Sequence, residues 1–69
     1  MNHKEKIREY LETYPYLCFT AEEIKEDLNL DINLQEVRTI LNTLIRQKNV
    51  VKHTNKLKDV YNSDNTRNI

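Results

Sequence analysis

The sequence predicts a mainly α domain with a small β-ribbon, three helices followed by two short strands. A capping residue stands three positions ahead of a glutamate at Asn2 and Glu5, at Thr20 and Glu23, and at Asn33 and Glu36. That spacing satisfies amides of a helical first turn. After Asn49 the pattern changes, and VVKHTNKLKDVY (Val50 to Tyr61) is rich in strand-forming residues on both sides of a polar centre. Such a segment reads as a hairpin.

The first helix begins after Asn2, with Ile7 and Leu11 on one face and Tyr10 and Tyr14 beside them. Pro15 stops it near Thr13, because the residue before a proline is pushed away from helical geometry. YLCF (Tyr16 to Phe19) is short and apolar, which suits a single strand or an extended linker, with Cys18 expected to be buried. The second helix starts from the Thr20 cap, with Phe19 and Ile24 placed as a hydrophobic staple and Ile24 and Leu28 facing inward. Only Asn29 to Ile32 separates it from the third helix, which is capped by Asn33 with Ile32 stapled to Val37.

In the third helix Leu34, Val37, Leu41, Leu44 and Ile45 form the inward stripe, flanked by Ile40. The helix is expected to end near Lys48, with Asn49 in the left-handed position usually given to glycine. In the hairpin, the turn is expected over Thr54 to Lys56, with Asn55 supplying a positive dihedral and Val51 and Val60 pointing inward. These elements make one domain over residues 2–61. The stretch from Asn62 to Ile69 is polar and aperiodic, and is expected to fray or stay disordered.

The chain has 69 residues, enough for one small core that buries about 60% of the unfolded surface. No apolar run approaches the ~20 residues that span a bilayer, and no signal peptide is evident. With one cysteine no internal disulfide is possible, so a reducing, cytoplasmic setting is expected and no membrane association. There is no glycine, which excludes the glycine loops that cradle nucleotide phosphates. The formal net charge is zero, yet the charge is divided. Residues 1–33 carry four basic and eight acidic groups, and residues 34–69 seven basic and three acidic. A negative half therefore precedes a positive one.

Helix, short strand, helix, tight turn, helix and ribbon is the element order of a winged helix-turn-helix domain, and FTAEEIKEDLNLDINLQEVRTILNTLIRQKNVV resembles the heart of that superfamily. The resemblance covers roughly Lys4 to Tyr61 and implies a three-helix winged helix-turn-helix fold. It further implies sequence-specific double-stranded DNA binding by a small transcriptional regulator of a microbe or of a virus infecting one. In this reading the third helix lies in the major groove and the ribbon, or wing, rests on flanking backbone. The chain lacks the glycines many members carry in the turn and wing. It also lacks the wing tryptophan of the branch that binds left-handed DNA, and has Asn42 near that branch's recognition tyrosine, so that activity is not carried over.

The outer face of the third helix carries Gln35, Arg38, Thr39, Asn42 and Arg46. Arginine pairs with guanine and asparagine with adenine through two hydrogen bonds each, while Gln35 suits a base edge or a phosphate. The alternative is an ordinary solvated face, although lysine and glutamate usually dominate those, and Glu36 is the only acid on this helix. Lys52, Lys56 and Lys58 of the ribbon, with His53 beside them, suit phosphate contacts or entry to the minor groove. They equally suit protection of an exposed strand edge against aggregation. Glu22, at the start of the second helix, would repel phosphate if it faced DNA.

Tyr10, Tyr14 and Tyr16 fit either a homodimer interface or a lid over a small core. A protein-interaction module on the same fold, acting as adaptor, antirepressor or inhibitor, is the rival functional class. Leu34, Val37, Leu41 and Leu44 also satisfy a heptad, but for too few repeats to predict a coiled coil. Cys18, His3 and His53 have no spacing that builds a metal site, and no arrangement of nucleophile and base stands out. Neither a cofactor nor an enzymatic activity is expected.

Overall fold

The structure, a computed structural model, describes residues 2–63. Helix α1 spans His3–Thr13, α2 Ala21–Asp27 and α3 Leu34–Arg46, followed by strands β1 Val50–Asn55 and β2 Lys58–Ser63. The architecture is mainly helical with one antiparallel ribbon, β1 against β2, in a winged-helix-like layout.

Each helix starts where its cap predicts. The side chains of Asn2, Thr20 and Asn33 accept from the amides of Glu5, Glu23 and Glu36. The reciprocal half of the capping box differs from expectation. Among the described residues it closes only at α2, where the Thr20 amide donates to Glu23 Oε1 at 2.8 Å.

Two helix ends share one device. At α2 the amides of Asn29 and Leu30 donate to the carbonyls of Glu26 and Lys25, and at α3 those of Lys48 and Asn49 donate to Ile45 and Leu44. This paired pattern is a Schellman motif, which needs a left-handed residue just past the cap. Asn29 (φ 51°) and Lys48 (φ 64°) fill that position. The expectation at α3 is thus corrected by one residue: α3 ends at Arg46, so the left-handed place falls on Lys48 rather than Asn49. A third positive φ, 61°, belongs to Lys56. The hairpin turn is therefore Lys56–Leu57, between the paired Asn55 and Lys58, and not Thr54 to Lys56.

Ile7 and Leu11 of α1, Ala21 and Ile24 of α2, Leu30 of the turn, and Val37, Leu41 and Leu44 of α3 form the buried core, closed by Val50 and Tyr61 from the ribbon. Val50 and Tyr61 are thus the inward anchors, whereas Val51 and Val60 are only half-buried. The strand faces are the reverse of those expected, since alternation inverts both faces when the starting residue moves by one. β2 also continues through Asn62 and Ser63, which correct the start of the expected loose tail; its remainder, 64–69, lies outside the described residues.

The linker after α1 meets the ribbon at one point. Phe19 and Tyr61 exchange backbone hydrogen bonds of 2.9 and 2.7 Å, an isolated antiparallel bridge. Phe19 also stacks with Tyr10 and Tyr14, at ring centroid distances of 4.9 and 6.2 Å. With Phe19 turned inward, Tyr16, Leu17 and Cys18 run along the outside. Cys18 is exposed, contrary to expectation. Two further ties hold α1 to the helix-turn-helix: the Tyr10 hydroxyl donates to Asp27, and His3 Nε2 lies 3.1 Å from Asp31 Oδ1.

Candidate nucleic-acid interface

Helical geometry sorts α3 into two faces. Val37, Leu41 and Leu44 are buried, and Gln35, Arg38, Thr39, Asn42 and Arg46 are exposed. At 100° per residue, Gln35, Thr39, Asn42 and Arg46 fall in one narrow stripe, with Arg38 at its border. Arg38 and Arg46 stand eight residues apart, roughly 12 Å along the helix. The two ends of this face could therefore meet different base pairs of one groove. Thr39 is partly committed to its own helix, because its hydroxyl donates to the Gln35 carbonyl at 3.0 Å. Its remaining lone pairs can only accept.

The hairpin turn and the start of β2 border a groove that reaches Arg38 in the first half of α3. Arg38, Leu57, Lys58, Asp59 and Tyr61 line one groove of about 520 Å³ with Thr20, Ala21, Glu22 and Glu23 of the α2 start. The Tyr61 hydroxyl registers both charges nearby. Burial pushes its pKa up and Asp59 adds to the rise, while Arg38 opposes it. Arg38 and Lys58 thus border the same groove as the acids Glu22 and Asp59. Glu23 is occupied by its capping hydrogen bond, and Asp59 Oδ1 accepts from Thr54 Oγ1 at 3.2 Å.

Lys52, Lys56 and Lys58 are all exposed. The pairing register aligns Lys52 with Tyr61 and Lys58 with Asn55. Strand alternation then puts Lys52 and Lys58 on opposite faces of the ribbon, with Lys56 at the tip between them. One surface cannot use all three equally. His53 is drawn aside, with Nε2 3.1 Å from Asn62 Oδ1. Among the described residues, none of Arg38, Arg46, Lys52, Lys56 and Lys58 forms a salt bridge.

Two features at this surface were not singled out from the sequence. Asp59 lines the groove with Arg38, which depends on how the ribbon folds back and has no local signal, whereas Glu22 across the groove is the acid that the sequence had marked as repelling phosphate. Leu57 stands fully in solvent, at 101% relative exposure, between two lysines. A large apolar residue inside a polar turn was the available signal. Elsewhere among the described residues, the exposed large apolar side chains are those of Tyr14, Tyr16 and Leu17, at the α1–α2 linker.

No family model matches this chain, and no curated protein or solved structure matches it either. Among the described residues no group of three or more His, Cys, Asp and Glu side chains is placed to hold a metal ion, and no helix is long and apolar enough to cross a membrane.

Proposed function

We propose that this chain is a small transcriptional regulator of the winged helix-turn-helix type that binds double-stranded DNA sequence-specifically. The observation that carries the reading is the outer face of α3, where Gln35, Arg38, Thr39, Asn42 and Arg46 are exposed together while the opposite stripe fills the core. Arg38, Asn42 and Arg46 would meet base edges in the major groove, with Gln35 on an edge or a phosphate. Lys56, with Lys52 or Lys58, would neutralise flanking phosphates. The domain acts in the cytoplasm of a microbe or virus-infected cell, where Cys18 stays reduced.

So few cations on one domain bind weakly alone, and a homodimer would double the footprint over two half-sites. The exposed strip of Tyr14, Tyr16 and Leu17 is the face that suits such pairing.

A second reading, a module that binds another protein, draws on two observations: that same strip, and the acids Glu22 and Asp59 beside Arg38. Mapping amide chemical shifts during titration with mixed-sequence duplex DNA separates the readings. Changes concentrated on α3 and the Lys56–Leu57 turn support DNA binding. An unperturbed α3 at saturating duplex would transfer the function to the linker strip.

A further inference from the structure

We propose that Leu57 is an apolar wedge that enters the DNA minor groove beside the recognition helix and partly unstacks a base step there. This inference rests on the DNA-binding reading above and adds a contact that bends the duplex.

The argument starts from what Leu57 does not do. It is the most exposed large apolar residue described, and it contributes nothing to the core. Turn geometry does not call for it either, because the left-handed position of this two-residue turn is Lys56, and the second position accepts residues of any type. A leucine held at the end of a ribbon is therefore poorly explained by folding. The ribbon gives it a fixed base: β1 and β2 pair without interruption from Val50 with Ser63 to Asn55 with Lys58, and the Phe19–Tyr61 bridge ties β2 to the linker.

The immediate chain neighbours of Leu57 favour a polyanionic occupant, while the acids Glu22, Glu23 and Asp59 line the groove beside it. Lys56 and Lys58 flank it, both exposed, so an apolar tip is presented between two cations. Duplex DNA offers the complement, an apolar stack of bases set between two lines of phosphate. Leu57 also lines the same groove as Arg38, the residue at the border of the face that would occupy the major groove. The neighbouring surface of the duplex is a minor groove about 6 Å wide, which admits a side chain but no helix or strand pair. Leucine is among the residues that wedge between base steps and kink the duplex, and pyrimidine–purine steps such as TpA yield most easily.

The test uses the full chain and a short duplex carrying 2-aminopurine within a central TpA step, with fluorescence reporting unstacking and anisotropy reporting binding. Wild-type protein should raise the fluorescence several-fold at saturation. Leu57→Ala should bind about tenfold more weakly, the scale of one lost apolar side chain, with an unchanged salt slope and no fluorescence rise. Leu57→Met should restore both. Because Leu57 lies outside the core, circular dichroism should be the same for all three.

If Leu57→Ala matches wild type in affinity and fluorescence, the wedge is overturned and the DNA-binding reading stands. If wild-type protein fails to bind any duplex, both fall together. Leu57-dependent binding to vesicles of anionic lipid, without a fluorescence rise on the duplex, would overturn the wedge in favour of a membrane contact.

Discussion

Phe19 and Tyr61 are joined by two backbone hydrogen bonds across 42 positions of sequence, Phe19 N to Tyr61 O at 2.9 Å and Tyr61 N to Phe19 O at 2.7 Å. Their side chains take different roles: Tyr61 closes the core beneath the ribbon, and Phe19 joins the aromatic cluster with Tyr10 and Tyr14. The bridge therefore fixes the ribbon to the helical body at the strand that borders Arg38. Placement of the wing beside α3 follows from it.

The register that this bridge requires can be checked with two valines. Val50 is 2% exposed and Val51 is half-buried on the other face. Val50→Ala should cost about 2 kcal/mol, and Val51→Ala less than about 1 kcal/mol. Urea unfolding of the two variants measures the difference. Equal costs would contradict the inward assignment of Val50.

Tyr10 predicts a response to alkali. Burial, then its hydrogen bond to Asp27, raises its pKa from 10.0 to about 12. The folded state holds the phenolic proton more tightly than the unfolded state, so this stabilisation is fully present below pH 10 and is lost as pH rises toward 12. Tyr10→Phe keeps the ring but removes the hydroxyl. It should cost about 1 kcal/mol at neutral pH, and its stability should fall less steeply than that of wild type above pH 10, measured by unfolding at a series of pH values.

Lys48 bears a left-handed backbone that a side chain disfavours. Lys48→Gly should stabilise the protein by about 1 kcal/mol, the relief at Lys48 outweighing the added freedom of the unfolded chain. A rise in thermal midpoint is the readout. A fall would mean that this backbone is not left-handed in solution.

How much of this was legible in the sequence follows from how local each signal is. The three caps fixed the helix starts because the donor and acceptor lie three residues apart, within one turn. The face of α3 was equally legible, since period alone separates Val37, Leu41 and Leu44 from Arg38, Asn42 and Arg46. The strand faces were not, because Val50 and Val51 are identical in chemistry and only pairing with Ser63 and Asn62 decides between them. Two of the three left-handed positions were obscured for a related reason: with no glycine to mark them, they fell on Lys48 and Lys56, each next to an asparagine, a residue type that tolerates this geometry better. Cys18 emerged exposed because Phe19 alone of that apolar run turns toward the aromatic cluster.

The acids beside Arg38 give a prediction opposite in sign to most substitutions. Glu22 is exposed and shares the groove with Arg38 and Lys58. Glu22→Gln removes one negative charge from the surface proposed to face phosphate. It should strengthen duplex binding roughly two- to fivefold at low salt, with the gain shrinking as salt screens it. A weaker complex would place Glu22 in a favourable contact instead.

The central claim is that α3 reads DNA, and the most direct measurement is fluorescence anisotropy of a labelled mixed-sequence duplex at about 50 mM and about 200 mM salt, where phosphate neutralisation weakens binding steeply. Wild-type protein should bind at the lower salt and lose affinity at the higher. Arg38→Ala with Arg46→Ala should abolish binding while circular dichroism remains that of the folded protein. Binding by the double variant equal to wild type, or no salt-sensitive binding by folded wild-type protein, would contradict the account.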